Sequence, residues 1–237
     1  MRITIHQPEH IPWLGFINKA SKAETFVILD SVQFEKNYFQ NRNRILGTNG
    51  VQWIGIPVST GGHMSESIAQ TRISTVDAKW RDKYLRTVKM SYGKYPFFDE
   101  VYGLLESCLS IETNLFCEIN IAIIRGLFEK LGINCSMVRS STLCVDGLKS
   151  DLILDICKEV GADEYIAGPS GRDYLKIDDF ENAGIKVFYN DYTHPEYPQL
   201  RSKEFISHLS GIDLFMNVGF KEGYSILMGG NEGLSEQ

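Results

Sequence analysis

The sequence is short of positive charge. Its 24 Lys and Arg are outnumbered by 30 Asp and Glu, a net charge of -6, which weighs against broad attachment to nucleic acid or to an anionic membrane. Arg42 and Arg44 stand close together as a local basic pair. Long hydrophobic runs are also missing. Glu9, His10 and Lys19 interrupt the N-terminal apolar residues, so neither a signal peptide nor a membrane span is expected, and a cytoplasmic location is. Cysteine is sparse: Cys108, Cys117, Cys135, Cys144 and Cys157 are an odd number at wide spacings with no C-x-x-C. That pattern argues for reduced thiols rather than a disulfide framework or zinc site. There is no internal repeat and no low-complexity linker.

What is present is the material of a globular α/β protein. The 237 residues are 43% hydrophobic, enough for a full core. Residues 2–6 alternate as a strand, and Trp13, Phe16, Ile17 and Ala20 recur at helical spacing after Pro12, which suits the first turn of a helix. TFVILD, residues 25–30, completes a βαβ unit with parallel strands. The Asn49-Gly50 pair between RNRIL and VQWIGIPV predicts a β-hairpin and an antiparallel portion of the sheet. Residues 77–131 read as three helices closed by Gly132, after which the α/β pattern returns: CSMVR, a helix capped by Ser150 and ended by Gly161, EYIAG, IKVFYN, and a final helix with Ser210 and Asp213 in capping-box spacing. The polar end GGNEGLSEQ reads as frayed. The expected architecture is a single α/β domain over 1–237. It has a Rossmann-like, mostly parallel sheet, a β-hairpin and an inserted helical segment at 77–131, whose aromatic stripes suit a lid, a homo-oligomer surface or a subdomain.

In an open parallel sheet, ligands bind outside the carboxyl ends of the strands, where loop amides and helix N-termini face the crevice. The predicted strand ends carry His6 and Gln7, then Asp30 with Gln33, then Gly168 through Asp173, then Asn190 and Asp191 with His194. His6 is a candidate catalytic base, against a plain role as a strand-end hydrogen-bonding group. Asp30 either caps a turn with Ser31, orients a histidine, or serves as a general base. Arg42 and Asn43 precede a strand, and an arginine there offers a planar fork to carboxylate or phosphate unless it is simply solvated. Ser170, Gly171 and Arg172 in GPSGR form a candidate anion nest, while the absence of G-x-S-x-G around Ser170 speaks against a serine hydrolase. Pro8 separates His6 from His10 outside any helix, so no metal pair is expected. Trp13, Trp53 and Trp80 read first as core, with Trp13 placed at a helix start where it can face the crevice.

These residues carry a resemblance. IHQPEHIPWLGFINKASKAETFVILDSVQFEKNYFQNRNRI, with its His-Gln-Pro, Pro-Trp-x-Gly, Asp-x-Val-Gln and Arg-Asn elements, resembles the N-terminal signature of the WbqC-like family. GPSGRDYL and the run from His194 through Tyr197 and Gln199 to LSGIDLFMNVG are similar to that family's C-terminal portion. Position 10, often aromatic in that pattern, is His10 here, which shifts weight to His6 and Gln7. The resemblance implies work on bacterial O-antigen or surface polysaccharide: an acyl- or aminoacyl-transferase that forms an amide on a nucleotide-linked amino sugar. The donor would be an acyl thioester of coenzyme A or acyl carrier protein, or an acyl group activated with ATP. Under it His6 and Asp30 are the expected catalytic residues, with Gln7, Trp13, Gln33, Arg42, Asn43, Ser170, Gly171, Arg172 and His194 around the substrate. PEHIPWL is also distantly similar to the H-x-G-H element of nucleotidylyl transferases, with Trp13 in place of the second histidine. An ATP-dependent adenylating enzyme is therefore the first alternative, and a non-catalytic sugar-nucleotide binding protein the second.

Overall fold

The structure, a computed structural model, describes residues 1–59, 66–229 and 231–236. Strands β1 (Arg2–His6), β2 (Thr25–Ile28), β5 (Ser136–Arg139), β6 (Glu164–Ala167) and β7 (Lys186–Tyr192) are all parallel, and β8 (Asn231–Glu236) closes the edge antiparallel to β7. Their spatial order is β5-β2-β1-β6-β7-β8. Counted in order of appearance, the parallel strands run third, second, first, fourth, fifth, so the winding reverses between β1 and β6. This is the topological switch point at which doubly wound sheets open a ligand crevice. The fold is thus α/β with a mostly parallel sheet, as the sequence predicts.

Alternation along the strands feeds two cores. Phe26 and Ile28 of β2 join helices α1 (Leu14–Ser21), α2 (Trp80–Tyr92), α3 (Phe98–Leu109), α4 (Phe116–Leu131) and α7 (Ile212–Gly229) in one cluster. Ile3, Ile5 and Val27 point to the other face, against α5 (Ser150–Glu159) and α6 (Ile177–Asn182). Tyr84, Cys108 and Cys117 are buried in the first core and Cys157 in the second. Among the described residues no helix is long and apolar enough to cross a membrane.

Several local expectations are corrected. The hairpin forms as read, β3 (Arg42–Gly47) pairing with β4 (Gly50–Gly55), but it is a separate two-stranded sheet. The antiparallel strand of the main sheet is instead β8, within the tail that polarity alone marks as frayed; Gly230 and Gln237 of that tail lie outside the described residues. Pairing with β7 satisfies backbone groups that composition cannot foresee. Helix α1 begins at Leu14, so Pro12 precedes the helix and Trp13 caps it. Ser150 is already inside α5 and its Oγ accepts the Lys176 N–H at 2.9 Å. Asp213 is no capping-box partner: its buried carboxylate accepts from Tyr92 Oη (2.8 Å), Tyr197 Oη (3.0 Å) and Gln199 Nε2 (3.0 Å). Gly132 does stop α4 as read, in the left-handed conformation at φ +67°.

Candidate functional site

Strand β1 delivers His6 to the switch point, and the loop from Gln7 to Trp13 is then fastened from several directions. Gln40 Nε2 donates to Gln7 Oε1 (2.8 Å), and Asn120 Nδ2 to the carbonyls of Pro8 (3.3 Å) and Gln40 (2.6 Å). Asn43 Nδ2 reaches the His10 and Ile11 carbonyls, each at 3.1 Å, and Ser210 Oγ also donates to Ile11, at 2.7 Å. Ile11 sits at φ +36°, a costly conformation for a β-branched residue that persists only where its surroundings over-determine it. His10 belongs to this scaffold. Its Nδ1 lies 2.9 Å from Asn120 Oδ1 and its Nε2 2.9 Å from Tyr84 Oη. Since Asn120 Nδ2 is spent on carbonyls, Oδ1 must accept, so Nδ1 carries the hydrogen and Nε2 accepts from the tyrosine.

The loop walls one side of a cavity of about 500 Å³ that spans the switch point, a volume suited to one small-molecule ligand. His6, Glu9, Trp13, Phe16 and Lys19 line it from the β1–α1 side, Tyr38, Phe39, Asn43 and Arg44 from the hairpin side, and Gly168, Pro169, Ser170, Asn190, Tyr192 and His208 from beyond β6. His6 Nδ1 lies 2.9 Å from the Gln7 carbonyl, which fixes the hydrogen on Nδ1 and leaves the Nε2 lone pair free. Nε2 is 3.9 Å from Glu9 Oε1, and the His6 side chain is 30% accessible against 10% for that of Glu9. Burial, then the Lys19 ammonium, push the His6 pKa down to about 3, so the imidazole is neutral across physiological pH. Burial raises Glu9 to about 7, opposed by Lys19 and by the Trp13 backbone N–H. Burial lowers Lys19 to about 8, opposed by Glu9, while Lys19 Nζ donates to the Ile5 carbonyl at 3.2 Å. Three ionisable side chains whose environments move them toward neutrality thus share one crevice.

An aromatic wall completes the cavity. Trp13 stacks against His208 (centroids 5.6 Å, 22°) and His194 (6.5 Å, 9°) and meets Tyr192 edge-on at 5.9 Å. Gly15 makes this possible, because a Cβ there would fall 2.2 Å from the Trp13 ring. Gly15→Ala is expected to displace that ring and weaken ligand binding. Shifted tryptophan fluorescence with an unshifted unfolding temperature is the signature, and an unaltered spectrum would show that the ring is not held there.

Of the residues singled out from sequence, His6, Trp13, Asn43 and Ser170 line the cavity. His194 backs Trp13, and Gln7 braces the loop. Others lie elsewhere. Asp30 is completely buried and held by Arg139 Nε (2.6 Å), Ser141 N (2.9 Å) and Ser141 Oγ (3.0 Å), so its carboxylate anchors the β5 end rather than facing a ligand. Gln33 bridges to Ser67. Arg42 lies over Trp53, 4.1 Å from the ring centroid, and donates to the Asn37 carbonyl at 2.7 Å. Arg172 is committed to Asp191 through two hydrogen bonds of 2.7 and 2.8 Å. The Gly171 amide donates to the Gly168 carbonyl at 2.9 Å, which removes one donor from the expected anion nest. Sequence reasoning missed Glu9, Lys19, Arg44 and His208. Arg44 left a trace as half of the Arg42–Arg44 basic pair, and Lys19 by lying three residues after Phe16 on the stripe of α1 that faces the sheet.

Comparison with known proteins places this arrangement. The uncharacterized protein Rv1507c of Mycobacterium tuberculosis is 30% identical over 221 residues, covering 92% of this chain and 94% of the relative. The WbqC-like protein family matches residues 7–224, a span that begins at Gln7, beside His6, and contains the fastened loop, the hairpin and the aromatic wall. On that match, this chain belongs to the WbqC-like protein family.

Proposed function

We propose that the protein is a cytoplasmic acyl- or aminoacyl-transferase that forms an amide on a nucleotide-linked amino sugar during bacterial O-antigen or surface-polysaccharide synthesis. The observation that carries this reading is the imidazole of His6 on the cavity wall, partly accessible and with its Nε2 3.9 Å from Glu9 Oε1. An amino sugar enters as an ammonium and must lose a proton before its nitrogen attacks. An imidazole pushed down to about 3 by burial and Lys19 cannot take that proton unaided; the ionised Glu9 carboxylate 3.9 Å away raises its basicity and favours the imidazolium, and His6 Nε2 then accepts the proton. The nitrogen–carbon bond forms as the acyl carbon becomes tetrahedral, and the Lys19 ammonium, with Arg44 across the cavity, faces the oxyanion. The carbon–sulfur bond of a coenzyme A or carrier-protein thioester then breaks, the thiolate takes the second nitrogen proton, and His6 returns the first to water. The switch-point position supports a nucleotide ligand, and Trp13 and Tyr192 offer it aromatic surface.

The two shifted groups set a pH window. The imidazole is a weak base while Glu9 is protonated, so kcat/KM falls as pH drops below about 7. It falls again as pH rises above about 8 and Lys19 loses its charge. A bell with its maximum between these values is expected, and Lys19→Arg, which keeps the charge, should carry the basic limb upward. A profile flat from pH 6 to 9 would remove both groups from the mechanism.

The deciding assay is mass spectrometry of dTDP- and UDP-linked amino sugars incubated with the protein and pooled donors: acyl-CoA, acyl carrier protein thioesters, or glycine with ATP. A new amide supports transfer. Release of AMP or pyrophosphate without it favours the adenylating alternative, and binding without modification favours a carrier of sugar nucleotides.

A further inference from the structure

Glu9 is more than 90% buried, lines the cavity, and its Oε2 has no hydrogen-bond partner among the described residues. A buried carboxylate oxygen left in this state is costly unless a ligand completes it. Several neighbours on the protein side are already engaged. Oε1 is turned toward His6 Nε2 at 3.9 Å, and Lys19 Nζ is bonded to the Ile5 carbonyl. Asn43 and Arg44, on the opposite wall, bond to the β1–α1 loop and to the His208 carbonyl. Arg44 Nε and Tyr192 Oη, on the same cavity, are also buried without a partner among the described residues, so the cavity is built for a polar ligand, and what it brings to Oε2 must be a donor.

We propose that Glu9 Oε2 is the seat of the acceptor's primary ammonium group, and that Glu9 is the residue by which the site selects amino sugars over their hydroxyl counterparts. This rests on the transferase reading above and gives it its acceptor subsite. A hydroxyl offers the carboxylate one neutral hydrogen bond, whereas an ammonium also cancels its charge, and charge-assisted bonds are about twice as strong. The seat also orders the chemistry. An ammonium on Oε2 lies beside the oxygen that faces His6 Nε2, the atom that takes its proton, so binding and deprotonation occur at adjacent atoms.

The test is isothermal titration of the full chain with matched pairs of dTDP- and UDP-linked sugars that differ only in carrying an amine or a hydroxyl at one ring position. The amine member of the preferred pair should bind about tenfold or more tightly. Glu9→Gln, which keeps the shape and one acceptor oxygen, should erase that preference, and Glu9→Asp, which keeps the charge, should retain its direction. Equal binding of every pair, a preference that survives Glu9→Gln, or no binding by any sugar overturns the proposal. The transferase reading fails differently: the amine preference and its dependence on Glu9 persist, but no donor yields an amide.

Discussion

His6→Ala is expected to lower turnover of an amino-sugar acceptor by a factor of about 10²–10⁴, the usual contribution of a positioned general base, while leaving acceptor binding nearly unchanged. The separation between rate and affinity follows from the geometry. His6 makes one local hydrogen bond, to its neighbour's carbonyl, and one edge contact with Phe16 at 4.9 Å. The surrounding loop is held by Gln40, Asn43, Asn120 and Ser210 rather than by the imidazole. Its removal thus takes away the proton acceptor and little of the scaffold. Single-turnover kinetics with saturating donor reads the effect, and His6→Gln, which fills the space without an imidazole, should match the alanine variant. Turnover near the wild-type rate in both variants would return His6 to a structural role and move the search for a base to Lys19.

Asp30→Ala should do the reverse: destabilise the fold by about 3–5 kcal/mol, as removal of one member of a buried ion pair does, with normal turnover for whatever protein remains folded. Asp30 is fully buried and receives Arg139 and Ser141 together. Its backbone N–H and that of Ser31 both donate to Ser140 Oγ at 3.0 Å. The cluster joins the end of β2 to the end of β5, and its loss leaves the Arg139 guanidinium with Glu118 alone, at 2.6 Å. For a chain of this length that energy corresponds to a fall in Tm of roughly 6–20 °C. Calorimetry together with an activity measurement normalised to folded protein separates the two carboxylates. Should Asp30→Ala keep its Tm and lose turnover, the strand-end reading of Asp30 as a base would be restored.

The contrast between Asp30 and Glu9 shows how far the sequence reaches. Both are single acidic residues near the ends of β-rich runs, and local pattern favours Asp30, which ends an apolar strand, over Glu9, which sits between proline and histidine in a polar stretch. The structure inverts them because burial and partners come from residues far along the chain. Arg139 and Ser141 arrive from the end of β5 and the turn after it to consume the Asp30 carboxylate, while nothing among the described residues arrives to consume Glu9 Oε2. Arg172 likewise reads from sequence as the cation of a candidate anion nest, and in the fold it is paired, because β7 brings Asp191 to it. Conversely, the polar run HQPEH reads correctly as following the end of the first strand, and the fold engages both His10 nitrogens, with Asn120 and Tyr84.

The sequence by itself determined the α/β class, the parallel strands from their apolar runs, the hairpin from Asn49-Gly50, the stop at Gly132, and the family. These are properties of neighbouring residues: side-chain period, backbone preference and turn chemistry act over a few positions and are written there. Tertiary structure alone decided that β1 and β6 flank the switch point, that the hairpin stands apart from the main sheet, and that Glu9 and Lys19 share the His6 cavity with Arg44 and His208. The physical reason is that desolvation and pairing, which set what a titratable group can do, depend on everything packed around it. For this cavity those groups come from elements more than two hundred residues apart.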